Sequence, residues 1–182
     1  MSHTSQNRIP VRDLTYIAFC TTLIVLCAWI RIPFIVPFTL QSFGIFLSVA
    51  VLGGRRACAS VLLYLLLGAI GLPVFSGFSG GIGILLSSTG GYLFGFLIPP
   101  LFAWLSTNSN TKHKVVLSLL FGQLLCYTFG TIWYIALYAT SYSTATLISV
   151  LSICVFPFIL PDALKLIFAL TLAKKLKKYI KQ

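Results

Sequence analysis

Clusters of Lys and Arg separate the long apolar runs of this chain. Of its 13 cationic residues, all except Arg31 and Lys165 lie near positions 8–12, 55–56, 112–114 and 174–181. Positively charged segments stay on the cytoplasmic side of a bilayer. If six helices cross the bilayer, the four clusters share one side. The pattern therefore predicts a multi-pass protein of the cell (plasma or inner) membrane, with both termini cytoplasmic.

Six apolar segments are candidates for membrane-spanning helices, since a spanning helix has about 17 to 25 largely apolar residues. The second and third are short and would cross only with tilt or local thinning of the bilayer. A further apolar segment, 144–156, ends before Pro157 and is typical of an interfacial or re-entrant helix. We predict one six-helix membrane domain over residues 1–182, with helices at about 14–30, 39–52, 57–70, 89–105, 115–139 and 161–178.

Composition narrows the class of protein. The chain is 58% hydrophobic and only 8% charged, whereas a soluble domain has about 25% charged residues. A soluble enzyme is therefore excluded. The net charge of +11 would suit nucleic acid, but the cations lie at the ends of apolar runs and form no basic groove interleaved with aromatic residues. We therefore predict that the chain lies in the lipid bilayer and does not bind nucleic acid.

Two ionisable residues, Asp162 and Lys165, lie inside the sixth predicted helix. A charge there costs about 2.5 to 3.5 kcal/mol on the insertion scale and usually has a function. Residues three apart share a helix face. Asp162 lies about 18 Å before Lys174 along a helix, which places it in the outer half of the membrane. We predict a polar site reached from outside. A pair that only fixes helix packing and a proton relay are the alternatives, although a relay lacks a second acid or histidine within the membrane.

A glycine-rich segment joins the third and fourth predicted helices. Its 25 residues, 71–95, include eight glycines, which is too flexible for a core helix and too apolar for a solvated turn. Glycines let backbone amides approach a ligand, aromatic residues contact its rings, and the helix start at 88–90 suits an anion. A re-entrant loop that only seals the helix tops is the alternative. The ligand-contacting candidates in this region and at the start of the second helix are Gln41, Phe75, Phe78, Gly80, Gly81, Thr89, Gly90, Gly91 and Tyr92.

Metal binding and histidine catalysis have little support in the sequence. The five cysteines are scattered singly without a CxxC pair, and His3 and His113 lie in polar stretches, so we expect neither a metal nor a cofactor. In the first helix, Ala18 and Thr22 have small-xxx-small spacing. That spacing allows close approach of another helix, from this chain or from a partner membrane protein.

Four motifs occur in order along the chain: FTLQS after the first helix, LLYLLLGAIGLPVFSGFSGGIGILLSSTGGYLFGF, YTFGTIW in the fifth helix and PFILPDALKL at the sixth. With them the chain resembles the BioY family, the biotin-binding S component of energy-coupling factor (ECF) vitamin transporters. The resemblance implies an all-α integral membrane protein of six transmembrane helices with an outward-facing, loop-capped pocket that binds biotin without catalysis. It also implies docking, through the Ala18 and Thr22 face, onto an ECF membrane scaffold subunit with two ATPase subunits. ATP is used by that module, since this chain has no Walker A motif.

Asp162 and Lys165 match the acid and the lysine of the family's motif in the sixth helix. The resemblance implies that Asp162 accepts the N–H groups of the ureido head of biotin and that Lys165 donates to its carbonyl. The glycine-rich segment would close over the fused ring, and the carboxylate would meet loop amides or the start of the fourth helix. Ser87 and Ser88 stand where the family tends to have Gly-Pro, and Pro161 stands where Gly usually precedes the acid.

Three other functions stay open at this point. An S component for a different vitamin would share the fold and differ in ligand. A self-sufficient secondary transporter would work without ATPase partners, although no inverted repeat indicates one. An intramembrane or lipid-modifying enzyme would have Asp162 as its sole acid near the outer leaflet, which is a poor catalytic inventory.

Overall fold

The computed structural model of the chain describes residues 10–33, 38–106, 112–138 and 144–180. Within these ranges the chain is mostly helical, with one two-stranded hairpin. In chain order the elements are α1 Val11–Trp29, β1 Arg31–Ile32, β2 Phe38–Thr39, α2 Gln41–Leu52, α3 Gly54–Ala69, α4 Ile82–Leu85, α5 Gly90–Gly95, α6 Ile98–Leu105, α7 Lys112–Tyr138, α8 Thr144–Cys154 and α9 Phe156–Ile180.

Among the described residues, three apolar stretches are long enough to cross a bilayer: Val11–Trp29, His113–Leu137 and Ile148–Tyr179. Two shorter apolar stretches are Gln41–Leu52, which is α2, and Gly90–Leu105, which contains α5 and α6. At 1.5 Å per residue the 12 residues of α2 measure about 18 Å, less than the roughly 30 Å of a hydrocarbon core. Neighbouring helices shelter α2, because it packs against α1, α3 and α9 and most of its residues are buried.

A single residue, Gly53, joins α2 to α3. Its φ of 84° lies in a region that residues other than glycine rarely adopt. The N–H of Gly53 donates to the carbonyl of Val49 at 3.0 Å, which satisfies the end of α2. The next residue, Gly54, lies so close to Trp104 that a Cβ there would overlap the backbone. The two glycines thus set a sharp turn and bring α3 against α6.

The fourth predicted helix, 89–105, is divided in two. α5 ends at Gly95 and α6 begins at Ile98. Pro99 and Pro100 have no amide hydrogen to donate to the preceding turn, which favours the break at residues 96 and 97. Both pieces pack against α7.

The predicted boundary at residue 161 was wrong. α9 begins at Phe156, because Pro157 occupies the first helical turn, where a missing amide hydrogen breaks no helical hydrogen bond. Pro161 lies inside α9 and directly precedes Asp162. The segment predicted as an interfacial helix, 144–156, contains α8, which only Val155 separates from α9 and which packs against α7 and α9.

Two segments lie at the end of the bundle where α1 ends and α2 begins. β1 and β2 form an antiparallel hairpin that pairs Arg31 with Thr39 and Ile32 with Phe38. Within the glycine-rich segment the chain turns back on itself, and the N–H of Phe75 donates to the carbonyl of Ser79 at 2.9 Å. We call residues 71–81 the cap. The hairpin was not predicted, since its strands have only two residues each.

Candidate ligand-binding site

Two charged side chains are buried together on α9. Asp162 and Lys165 are 6% and 7% exposed, and Lys165 Nζ lies 2.7 Å from Asp162 Oδ1. Their spacing of three residues places both on one helix face. Burial of a single charge is costly, whereas a hydrogen-bonded pair of opposite charges offsets much of that cost.

Three neutral side chains complete the surroundings of the Asp162 carboxylate. Ser42 on α2 donates to Oδ1 at 2.8 Å. Gln123 and Tyr127 on α7 donate to Oδ2 at 3.1 Å and 2.5 Å. The carboxylate therefore joins three helices, α2, α7 and α9, around one buried charge.

The Lys165 ammonium is also fully engaged. It donates to the backbone carbonyl of Thr39 at 2.7 Å and to Ser42 Oγ at 3.2 Å, in addition to Asp162. Its nitrogen lies 4.1 Å from the centre of the Phe38 ring, a distance at which a cation is attracted to an aromatic face. The hairpin strand β2 thus packs directly on the ion pair.

Two cavities adjoin at this centre. The smaller, about 50 Å³, is lined by Gln123, Asp162 and Lys165 together with aromatic and cysteine side chains. The larger, about 330 Å³, extends from there toward the cap and the hairpin. Both cavities are lined by Thr39, Tyr92 and Phe96. Both cavities are mostly apolar, and the smaller one also borders the buried ion pair.

The cap is held on the bundle by aromatic residues. Phe75 is buried against Tyr64, with ring centres 5.4 Å apart and an edge-on arrangement. Phe78 is exposed and contacts Trp29, with ring centres 4.8 Å apart. Trp29 Nε1 donates to the carbonyl of Pro73 at 2.9 Å. The cap thus forms one wall of the larger cavity and is anchored to α1 and α3.

The sequence-derived candidates divide into two groups. Gln41, Phe75, Thr89 and Tyr92 line the larger cavity, while Asp162 and Lys165, again with Tyr92, line the smaller one. The remaining candidates line neither of these cavities: Phe78, Gly80, Gly81, Gly90 and Gly91.

The glycines at the start of α5 have a packing role. A Cβ at Gly91 would overlap the side chain of Trp133, and one at Gly90 would overlap the carbonyl of Leu85. The N–H of Gly90 already donates to Ser87 at 3.0 Å, and α5 has only six residues. The anion site predicted at this helix start has no support from these contacts.

Gln123 and Tyr127 were missed as site residues. They are four residues apart on α7, so both lie on the helix face that meets Asp162. A glutamine in an apolar membrane helix is itself a signal, because an unpaired amide is costly to bury there. Their partner is 39 and 35 positions away along the chain, which sequence spacing alone does not indicate.

Several buried polar atoms have no hydrogen-bond partner within the described part of the chain. Gln41 Nε2 and Ser76 Oγ belong to residues that line the larger cavity, and Gln123 Oε1 to one that lines the smaller. Buried polar groups are usually paired. These atoms are therefore candidates for contact with a ligand. Among the described residues, no group of three or more His, Cys, Asp or Glu could hold a metal ion.

A buried ion pair below a capped cavity, in an apolar helical bundle, defines a membrane protein with an internal ligand pocket. The chain belongs to the BioY family, whose model matches residues 1–182. The resemblance seen in the four motifs is thereby confirmed.

Named relatives and a solved structure extend over nearly the whole chain. It is 37% identical over 169 residues to the biotin transporter BioY of Thermotoga maritima, a match that covers 92% of this chain and 97% of that protein. It is 32% identical over 183 residues to the biotin transporter BioY of Lactococcus lactis subsp. cremoris, covering 94% of each. A crystal structure of the S-component for biotin from an ECF-type ABC transporter matches with a TM-score of 0.75 and 30% identity, over 98% of this chain and 95% of that one. The predicted all-α membrane fold is confirmed, and the named relatives are transporters.

Proposed function

We propose that this chain is a biotin-binding membrane subunit that mediates biotin uptake. The observation that carries the proposal is the buried Asp162–Lys165 pair beside a capped cavity of about 330 Å³. Ligand pockets typically measure about 300 to 1,000 Å³ and are mostly apolar, with a few fixed polar groups. Biotin has the complementary layout: a polar ureido head, an apolar fused ring and chain, and a carboxylate at the far end.

The two cavities suggest where each part of biotin lies. The ureido head occupies the small cavity beside Asp162 and Lys165. The fused ring lies on the aromatic wall that both cavities share, formed by Tyr92 and Phe96. The carboxylate-bearing chain extends through the larger cavity under Phe75. Closing the cap over this ligand excludes water and strengthens its polar contacts.

Arg31 is the cation best placed for the carboxylate. It lines the larger cavity and packs on the cap at Gly77, where a Cβ would meet its guanidinium group. The chain has only two acidic residues, and these are paired with Arg56 and Lys165. Arg31 therefore has no acidic side chain to pair with, and its charge is available to an anionic ligand.

We expect Arg31→Gln to weaken biotin binding about two- to fivefold, because an exposed ion pair contributes up to about 1 kcal/mol. Binding of biotin methyl ester, which lacks the negative charge, should stay unchanged. Competition binding with both ligands measures the two effects. Arg55→Gln is the control, because Arg55 is an exposed cation at the start of α3 and the cap follows the other end of that helix. Equal losses for the acid and the ester would show that Arg31 supports the cap and does not bind the carboxylate.

The orientation and the partner belong to the same proposal. The basic clusters at both termini support a cytoplasmic location of these ends by the positive-inside rule, and with that orientation the capped end faces outward. Ala18 and Thr22 are exposed on one face of α1, which suits close packing of a second membrane protein. We assign this face to the scaffold subunit of an ECF module, whose two ATPase subunits use ATP.

Equilibrium binding of biotin to the purified, detergent-solubilised chain tests the proposal. We expect a dissociation constant on the order of nanomolar, with weaker binding of analogues altered at the ureido ring or at the carboxylate. A well-folded sample that binds no biotin would overturn the proposed ligand. Tighter binding of another vitamin in the same competition series would replace it.

A further inference from the structure

The hydrogen-bonding capacity of Asp162 is already used within the protein. A carboxylate has about four acceptor positions. Ser42 and Lys165 donate to Oδ1, and Gln123 and Tyr127 donate to Oδ2. A ligand N–H can bond to this carboxylate only by displacing one of these donors.

The ammonium of Lys165 is in the same situation. Its three N–H groups are directed to the carbonyl of Thr39, to Ser42 and to Asp162. Neither charged group therefore has a free position for the ligand. A hydrogen-bonding group that is free to contact a ligand in the small cavity must therefore belong to a neutral residue.

Gln123 has such a group, its side-chain oxygen Oε1. Its side-chain nitrogen donates to Asp162 Oδ2 at 3.1 Å, which fixes the amide orientation and directs Oε1 away from the carboxylate. Gln123 is 7% exposed and lines the small cavity, and its Oε1 has no partner within the described residues. A buried amide oxygen without a partner is costly, and an N–H donor in the cavity would remove that cost.

We propose that Gln123 Oε1 directly accepts a ligand N–H and makes the site specific for a head group that carries this donor. The inference rests on the proposed function, in which the head group is the ureido ring of biotin. Asp162 acts in part as a positioning residue, because it holds the Gln123 amide in the accepting orientation. A site built to hydrogen-bond an N–H rejects analogues that lack it, since its own polar group is then left unpaired.

Biotin methylated at one or the other ureido nitrogen provides the test. We expect the wild-type chain in detergent to bind one of the two isomers at least about tenfold more weakly than biotin. Gln123→Met, which keeps the length of the side chain without its amide, should bind biotin at least about tenfold more weakly and should lose most of that discrimination. Thr128→Val, on the exposed face of α7, is the control and should behave as wild type.

The outcomes separate this inference from the proposed function. A wild-type chain that binds no biotin overturns both. A wild-type chain that binds biotin, together with a Gln123→Met protein that keeps full affinity and full discrimination, overturns the role of Gln123 alone. If Gln123→Met does not fold, the ligand series on the wild type still decides, because equal binding of biotin and both methylated isomers leaves no N–H for Gln123 to accept.

Discussion

Replacing one member of the Asp162–Lys165 pair is expected to cause the largest loss of stability in this protein. Lys165→Met leaves a buried carboxylate without its counter-charge, and Asp162→Asn leaves a buried ammonium in the same state. Removing one partner of a buried ion pair costs about 3 to 5 kcal/mol. For a chain of this size that corresponds to a Tm lower by roughly 6 to 20 °C. Thermal unfolding of the purified variants in one detergent measures the effect.

The double variant Asp162→Asn/Lys165→Met separates folding from binding. It leaves no unpaired charge, so most of the lost stability should return. Biotin binding should stay weaker than in the wild type by at least about tenfold, because the neutral pair holds Gln123 and Tyr127 less firmly: hydrogen bonds to charged groups are roughly twice as strong as those between neutral groups. A double variant that binds biotin as tightly as the wild type would remove this pair from the ligand site.

The Asp13–Arg56 pair is the matched control. Its charged atoms lie 2.8 Å apart, close to the distance in the buried pair, but its side chains are 22% and 39% exposed. Exposed pairs contribute about 0 to 1 kcal/mol, so Asp13→Asn should lower the Tm by no more than about 4 °C. Equal losses at the two pairs would contradict the argument that burial sets the effect.

The membrane class and the buried pair could be predicted because both depend on how rarely this chain carries charge. Two oppositely charged residues three apart inside an apolar helix share one face, and pairing with each other avoids the cost of an unpaired buried charge. The partners of Asp162 on α7 could not be predicted in the same way. Gln123 and Tyr127 reach it only through side-chain hydrogen bonds formed in the folded bundle, and neutral polar residues do not reveal their partners by spacing.

Glycines were the least informative signal. In the sequence, a glycine that admits a ligand and a glycine that admits a neighbouring helix look alike. Gly91 was interpreted as a ligand contact, yet it makes room for Trp133. Gly68 drew no attention because it lies in an ordinary helical segment, although the cap depends on it.

The contact between Gly68 and Phe75 is the basis of the second large effect. The Phe75 ring lies directly over Gly68, where an added Cβ would overlap it, and Phe75 is only 1% exposed. The carbonyl of Gly68 also accepts the N–H of Gly81 at 2.7 Å. Gly68 thus holds both the aromatic anchor and the far end of the cap. An extra methyl group in a packed core costs about 1 to 3 kcal/mol.

We expect Gly68→Ala to displace Phe75, loosen the cap and speed the release of biotin by roughly 5- to 150-fold, the range to which that cost corresponds. Dissociation of labelled biotin into an excess of unlabelled ligand measures the rate. Gly83→Ala in α4 is the control, since a Cβ there meets no heavy atom within 4 Å, and it should release biotin at the wild-type rate.

Adding Phe75→Leu to Gly68→Ala removes the ring atoms that the new methyl group would meet and should restore part of the retention. Wild-type release by Gly68→Ala would contradict the role of this contact. Fast release that Phe75→Leu does not slow would place the cause elsewhere in α3, because the atoms nearest to the added methyl group all belong to the Phe75 ring.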